Sequence, residues 1–514
     1  MPGSLFLQLP SELILACLET LPLTDLDSCA NCNRLLHEII TKSVLLHYRR
    51  EQARAGVGEN PSVASNLVIS DRLDKLHRRE SNWLNFEPLS THAIPIDFAT
   101  TGLYDLTSDA YFVGDTADPN TRMCTAIKYI RTAPGETQWR TVDGGKPIID
   151  FGTSLEEHDL IALVTYTIHD RNPLMSSVDI SLLKFSTGAP HPLAAQPVLH
   201  VHDVEVVRHR PGISIEIVGD TLALSMVYWS FELRDMDVLY LFNWKLGTPC
   251  MDPVPVYNTG MIFLTEGMLV LPNSYDESLD VLYIPSDPVE EPLLLHSFHL
   301  PELMHDTSIR SFQCRGSPNP RTTTTSPSSA SFVPRTWDAL LMFSLQVGNH
   351  TTFSDHLLIV DRPRFFGAIQ NAREENPEGV EWDDWGPDCC RWLNAQELST
   401  QYITTTSGRR MVTIAHDAFE RPAPITIMDF NPSSVRAHWH LGVVEREKAT
   451  SRVVEASTQH LELFARPIAS GLPYLEIVSK ERFDYGAVLI NDENVIGTRF
   501  GDATVASLDV LHFG

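Results

Sequence analysis

The sequence of 514 residues lacks any run of the roughly 18 consecutive apolar residues that a membrane-spanning helix needs. Met1 to Pro10 carries no basic flank ahead of its apolar stretch, so a secretory signal is not expected. The eight cysteines follow no regular spacing, which fits free thiols in a reducing compartment better than a disulfide framework. The expected location is therefore the cytoplasm or the nucleus, where the glycosylation sequon Asn349-His350-Thr351 is a chance occurrence. Lysine is scarce, eight residues against thirty-one arginines, a bias that genomic base composition explains as well as any function. No Gly-x-Ser-x-Gly elbow, phosphate-binding glycine-rich loop or dinucleotide fingerprint occurs. Positive charge is in deficit: 39 basic against 66 acidic side chains leave a net charge of −27. Such a chain repels nucleic acid and anionic membrane and suits a basic partner surface, with plain solubility as the blander reading of the same charge.

What is present is a 43% hydrophobic chain, enough to bury a large core and long enough for more than one domain. Its character changes near residue 87. Before that point Leu13, Ile14, Cys17, Leu18 and Leu21 recur at helical spacing, with Pro10 and Ser11 suited to a helix start and Pro22 to its stop. Thr24 and Asp27 resemble a capping box opening a second helix. Leu35, Leu36, Ile39 and Ile40 share one face of a third, and Val44, Leu45 and Tyr48 mark a fourth. Residues 56–66 read as a loop. Ser70 then caps a charged helix running to about Trp83, with a narrow apolar stripe at Leu73, Leu76 and Trp83. The remainder of that helix, including Arg72, Lys75, Arg78, Arg79 and Glu80, reads as a solvated face, and the helix as a bracket between two parts of the chain.

After residue 90 short strands alternate with turn residues, and seven pairs stand out: 110–113 with 124–130, 160–168 with 178–185, 222–229 with 238–244, 268–271 with 279–284, 339–347 with 356–360, 411–415 with 425–429, and 487–490 with 507–512. The recurrence, at roughly 50–75 residues, lies in the range of repeat architectures. The expected fold class is a small all-α N-terminal unit followed by a large all-β domain, a divergent seven-bladed β-propeller in which each pair is the inner half of a blade. A large sandwich or two stacked β domains would produce the same pattern. Trp337-Asp338 and Trp382-Asp383 occur, but without the Gly-His partner of a standard WD repeat. Residues 315–335, rich in Ser, Thr and Pro, read as a flexible surface loop between blades.

The N-terminal segment opens with Leu9-Pro10-Ser11-Glu12-Leu13-Ile14 and continues through Leu18, Leu21-Pro22, Asp25-Leu26, Cys29, Cys32-Asn33-Arg34, Ile39-Ile40 and Leu46 to Tyr48. In order and spacing this resembles the F-box over about residues 5–50, a tenth of the chain. Leu35 stands where that family commonly has Trp, and Tyr48 lies near its closing Leu-Trp; both keep an apolar residue. Residues 70–86 and Leu103-Tyr104-Asp105-Leu106 are more loosely similar to F-box-like proteins of mushroom-forming fungi. The resemblance implies an F-box at 5–50, a helical linker at 51–90 and a substrate-recognition domain at 91–514. It further implies a non-enzymatic receptor subunit of an SCF ubiquitin ligase, joined through the SCF adaptor to a cullin and recruiting a protein substrate. Leu9, Pro10, Leu13, Leu18, Leu21, Leu26, Cys32, Leu35 and Ile39 would divide between the small core and the adaptor groove. A unit this short cannot bury enough surface to stand alone and should expose an apolar patch.

The most distinctive segment of the β region is 373–392. There Glu374, Glu375, Glu378, Glu381, Asp383, Asp384 and Asp388 are interleaved with Trp382, Trp385 and Trp392. Carboxylates beside aromatic rings can capture a Lys- or Arg-rich peptide by charge and cation–π contact, so Glu374, Glu375, Glu381, Trp382, Asp383, Asp384 and Trp385 form a candidate loop for a basic partner; a solvated insert with locally packed tryptophans is the plainer reading. No cofactor or metal is expected: Cys29 and Cys32 lack a second pair, and His200, His202 and Asp203 fall short of a zinc set. Two further classes stay open. A propeller hydrolase could draw its residues from separate blades and would show perturbed carboxylates in one deep pocket, whereas an adaptor-independent scaffold would have a polar first-helix surface.

Overall fold

In the computed structural model, the described residues are 5–60, 63, 67–117, 123–205, 211–228, 237–285, 290, 292–321, 330–372, 379–396, 398, 402–415, 422–501 and 504–514. Four helices come first: α1 (Ser11–Glu19), α2 (Leu23–Cys32), α3 (Arg34–Lys42) and α4 (Val44–Ala55). Prolines stand at the N-caps of α1 and α2, where their fixed φ suits helix entry. Helix α2 thus opens at Leu23, ahead of the Thr24 start that the sequence suggests. Asn33 caps α3 by accepting from the amides of Leu35 (2.8 Å) and Leu36 (3.4 Å). Gly56, at φ 69°, ends α4 in the left-handed conformation that a side chain disfavours. Ile14 and Leu18 of α1, Leu26 of α2, Leu36 and Ile40 of α3 and Leu46 of α4 close into one core. Arg49 on α4 donates to the carbonyls of Glu19 and Leu21 (the latter at 3.2 Å), placing a cation on carbonyls freed by the end of α1.

Helix α5 (Ile69–Asn85) joins this unit to the strands. It opens one residue ahead of Ser70, whose hydroxyl turns to Asp71 (3.5 Å) and leaves the cap without a side-chain bond. Its N-terminal half packs Leu76 with Tyr48, Val57 and Phe332. Its C-terminal half stacks Trp83 on Phe513, ring centroids 4.2 Å apart. Arg79, which the sequence places on the solvated face, is 3% exposed. It donates to the Asp492 carbonyl at 2.7 Å, and its neighbour Glu80 pairs with Arg410 of the β region. A charged residue can sit there because its partners come from a distant part of the chain, which no helical periodicity reports.

Among the described residues six sheets of four or more strands follow, almost all meandering in chain order. They span residues 100–205 (seven strands), 212–255 (five), 262–299 (four), 308–394 (four), 406–483 (six) and 487–512, the last joined by the first strand of the region, Ser90–Pro95. That strand pairs antiparallel with Val505–His512, so the first and last strands close the array. Strands Leu340–Gly348 and Phe353–Asp361 are buried almost throughout, because both faces are covered by neighbouring sheets. The seven-stranded sheet bends within Arg140–Ser154, and its two halves pack on each other around Phe112, Ile127, Phe151 and Leu163. Similar apolar clusters separate each sheet from the next, and the innermost strands surround a common channel. This is a propeller-like ring.

Six of the seven expected strand pairs form, with residue 229 outside the described part. The seventh is corrected. Ala487–Ile490 pairs with Asn494–Phe500, and that strand in turn pairs with Val505–His512. Gly497 interrupts the apolar run of the missed strand; a Cβ there would lie 2.3 Å from the Tyr485 ring, so the fold needs the glycine. Two loop assignments change too. Val57–Glu59 and Phe332–Pro334 form a two-stranded ribbon, and residues 316–321 turn into the ring; residues 322–329 lie outside the described part.

Candidate docking face and central channel

Helix geometry divides the nine apolar residues of the F-box-like segment. Leu18 and Leu26 are fully buried, and Leu21 and Ile39 pack half-buried against them. Leu9 (39% exposed), Pro10, Leu13 (53%), Cys32 and Leu35 (42%) face solvent. Leu13 and Cys17, one turn apart on α1, flank the buried stripe of Ile14 and Leu18. The exposed side of the first helix thus combines Leu13, Ala16 and Cys17 with Ser11 and Glu12 at its start. Tyr48 ties the unit to the linker by donating to Glu59 (3.1 Å), which also pairs with Arg72 of α5 (2.8 Å).

The channel encloses about 410 Å³. Asp105, Asp150, Glu216 and Arg315 reach it from four different strands of the ring. Arg315 donates to Asp105 at 2.6 Å, and Asn319 donates to Glu216 at 2.6 Å. An adjoining chamber of about 110 Å³ holds Glu156, ion-paired with Arg321, and Asp492. Burial pushes the Asp150 carboxyl up to about 8; repulsion from Asp105 and Glu216 adds to this, and the Phe151 amide at 2.8 Å opposes it. Burial likewise lifts Glu216, Glu156 and Asp492 to about 7, against the pull of Arg315 on the first and of Arg321 on the other two. Carboxyls that hold a proton near neutrality can give or take one. The sequence reading missed this cluster, although a signal existed: single acidic residues sit inside apolar strands at Ile149-Asp150-Phe151 and Ile215-Glu216-Ile217.

Segment 373–392 proves different from the expected loop. Glu374, Glu375 and Glu378 lie outside the described residues. Helix α6 (Arg362–Asn371) before them and α7 (Trp382–Cys389) after them cover the sheets, and the strand Cys390–Asn394 follows. Trp382 (6% exposed) and Trp385 (1%) are core residues, which corrects their assignment to a cation–π surface. Trp385 donates to the His299 carbonyl at 2.9 Å, and Gly386 lies so close to Trp382 that a Cβ would fall 2.4 Å from its ring. The segment spaces its tryptophans three residues apart, so one helical face buries both rings while Asp383 and Asp384 stay outside. Glu381 and Asp383 join Asp276, Glu277 and Glu302 around a cleft of about 270 Å³ that also holds Arg466. His200 and His202 do not converge: His200 faces Asp179 at 3.0 Å, and His202 lies beside Tyr240.

Among the described residues no helix is long and apolar enough to cross a membrane. No curated protein matches the chain. Among solved structures, the chain is similar to the WD40 domain of SCAP from fission yeast at 7% identity and TM-score 0.35, covering 84% of this chain and 96% of that one. A functionally unknown protein from Desulfotomaculum acetoxidans DSM 771 matches at 10% identity and TM-score 0.33, with 65% and 83% covered. YCF48 bound to D1 peptide matches at 8% identity and TM-score 0.28, with 75% and 94% covered. The F-box domain family matches residues 6–48, the four-helix stretch that buries Leu18 and Leu26 and exposes Leu9 and Leu13. The chain carries an F-box domain at residues 6–48, ahead of a large β-rich, propeller-like region.

Proposed function

We propose that this protein is a non-enzymatic substrate-receptor subunit of an SCF-type ubiquitin ligase. In this reading the F-box (5–50) binds the SCF adaptor and through it a cullin, the linker (51–90) fixes the F-box to the ring, and the ring (91–514) recruits a protein substrate. The observation that carries the reading is the exposed set Leu9, Pro10, Leu13 and Leu35 on an F-box whose core is otherwise complete. Counting the bent seven-stranded sheet as two blades gives a seven-bladed ring. The test is a pull-down of the full chain with the purified SCF adaptor, comparing wild type with a Leu9→Ala/Pro10→Ala variant of unchanged circular dichroism. Co-purification that the variant loses is expected; a folded wild type that does not bind removes the reading.

The acidic cleft around Glu381 and Asp383 is the proposed contact for a basic segment of the substrate, by charge alone. Lys substitutions at both positions should abolish binding of an Arg-rich peptide, and unchanged binding would sink the idea. The raised carboxyls at Asp150 and Glu216 favour a second reading, in which the channel performs acid–base hydrolysis. Turnover of model esters or glycosides that Asp150→Asn abolishes would support it; turnover that survives this substitution would refute it.

A further inference from the structure

We propose that His47, Glu51 and His77 form a binding site for a divalent transition-metal ion, zinc being the ion of choice, and that the ion would pin the F-box to the linker helix. His47 and Glu51 stand four residues apart on α4, so one helical face carries both. His77 comes from α5, which packs against α4. One ligand atom from each of the three residues lies within 4.8 Å of the others. His77 Nε2 is 3.8 Å from Glu51 Oε2, and the two imidazole rings meet edge to face with centroids 6.1 Å apart.

Zinc ligands bond at roughly 2.0–2.2 Å, which places neighbouring donor atoms somewhat closer together than they stand here. The closure needs only side-chain rotation, and His77, with half its side chain exposed, is free to make it. The Glu51 carboxylate is already oriented. Arg54 holds Oε1 at 2.5 Å and leaves Oε2 toward His77, the kind of outer contact that steadies a metal-binding carboxylate. Two imidazoles and one carboxylate favour zinc, copper or nickel over magnesium or calcium, which prefer oxygen. A fourth position would remain for water. Sequence inspection does not find the set, because His77 is distant along the chain and only the packing of α5 brings it across.

The site spans two parts with different roles. α4 starts within the F-box, where it carries His47, and runs past residue 48 to carry Glu51, whereas α5 is seated in the ring by Trp83 and Arg79. A bound ion would therefore stiffen the joint between the adaptor-binding unit and the ring.

The test is calorimetric titration of chelator-treated full-length protein with zinc chloride, alongside a His47→Ala/His77→Ala variant. One equivalent should bind saturably to the wild type, the variant should bind at least tenfold more weakly, and zinc should raise the melting temperature of the wild type alone. Cobalt(II) provides a control against binding at the free thiols Cys17, Cys29 and Cys32. The proposed site gives weak visible bands without thiolate-to-metal charge transfer. Absence of saturable zinc uptake, equal uptake by the double variant, or a thiolate band would overturn the assignment.

Discussion

The helical unit and the ring differ in how far each covers its own apolar surface. The F-box closes a core of six fully buried residues and leaves Leu9, Leu13, Leu35 and Val44 39–53% exposed within a few dozen residues. In the ring, every sheet has a neighbour on each side, and the clusters between sheets hold Trp385, Phe298, Trp244 and Phe112 with almost no exposure. A closed ring completes itself, since its first strand covers its last. A short helical unit cannot, and its uncovered residues are the proposed contact for the SCF adaptor. The two are not independent, because α5 inserts Trp83 and Phe86 into the ring beside Phe513.

Substitutions can break this comparison at graded depths. The largest effect is expected at the joint. Trp83→Ala removes a fully buried ring and should cost about 3–5 kcal/mol, lowering the melting transition of ring and linker together in calorimetry. Leu26→Ala empties the F-box core and should cost about 2–5 kcal/mol there, visible as faster amide exchange in residues 6–48 while the ring strands stay protected.

Asp150→Asn should act with pH. The folded Asp150 holds its proton up to about 8, whereas in an unfolded chain a carboxyl releases it near 4. Between those values the native state binds the extra proton, so stability falls as pH rises from about 4 to about 8. The Asn variant escapes this loss: its melting temperature should equal that of the wild type near pH 4 and exceed it by a few degrees at about pH 8.5 in a fluorescence scan. Equal melting temperatures at both pH values would mean that Asp150 is ionised and solvated in the channel.

The smallest stability effect is expected at the docking face. Leu13→Asp should change folding stability by no more than about 0.5 kcal/mol in denaturant titration, while lowering adaptor affinity at least tenfold. A large stability loss there would mean that Leu13 belongs to the core and would erase the contrast between the two regions.

Much of this organisation is local and therefore legible. The helix positions before residue 87, the change of pattern there and six strand pairs follow from apolar periodicity and turn residues, which act between near neighbours in sequence. The F-box is legible for the same reason, since its motif is contiguous. The misses share one cause. Arg79 is buried because Asp492 meets it, Gly497 lies within a strand because Tyr485 packs on it, and Trp382 and Trp385 turn inward because sheets lie beneath α7. The channel carboxyls and the His47–Glu51–His77 set come from separate strands and helices. Sequence alone determined which residues alternate and which N-terminal segments are helical, because those preferences are set within a few residues. Only the tertiary structure decided which charges are buried, which apolar residues stay exposed and which side chains converge, because each depends on surfaces that other elements contribute, from a dozen to several hundred residues away.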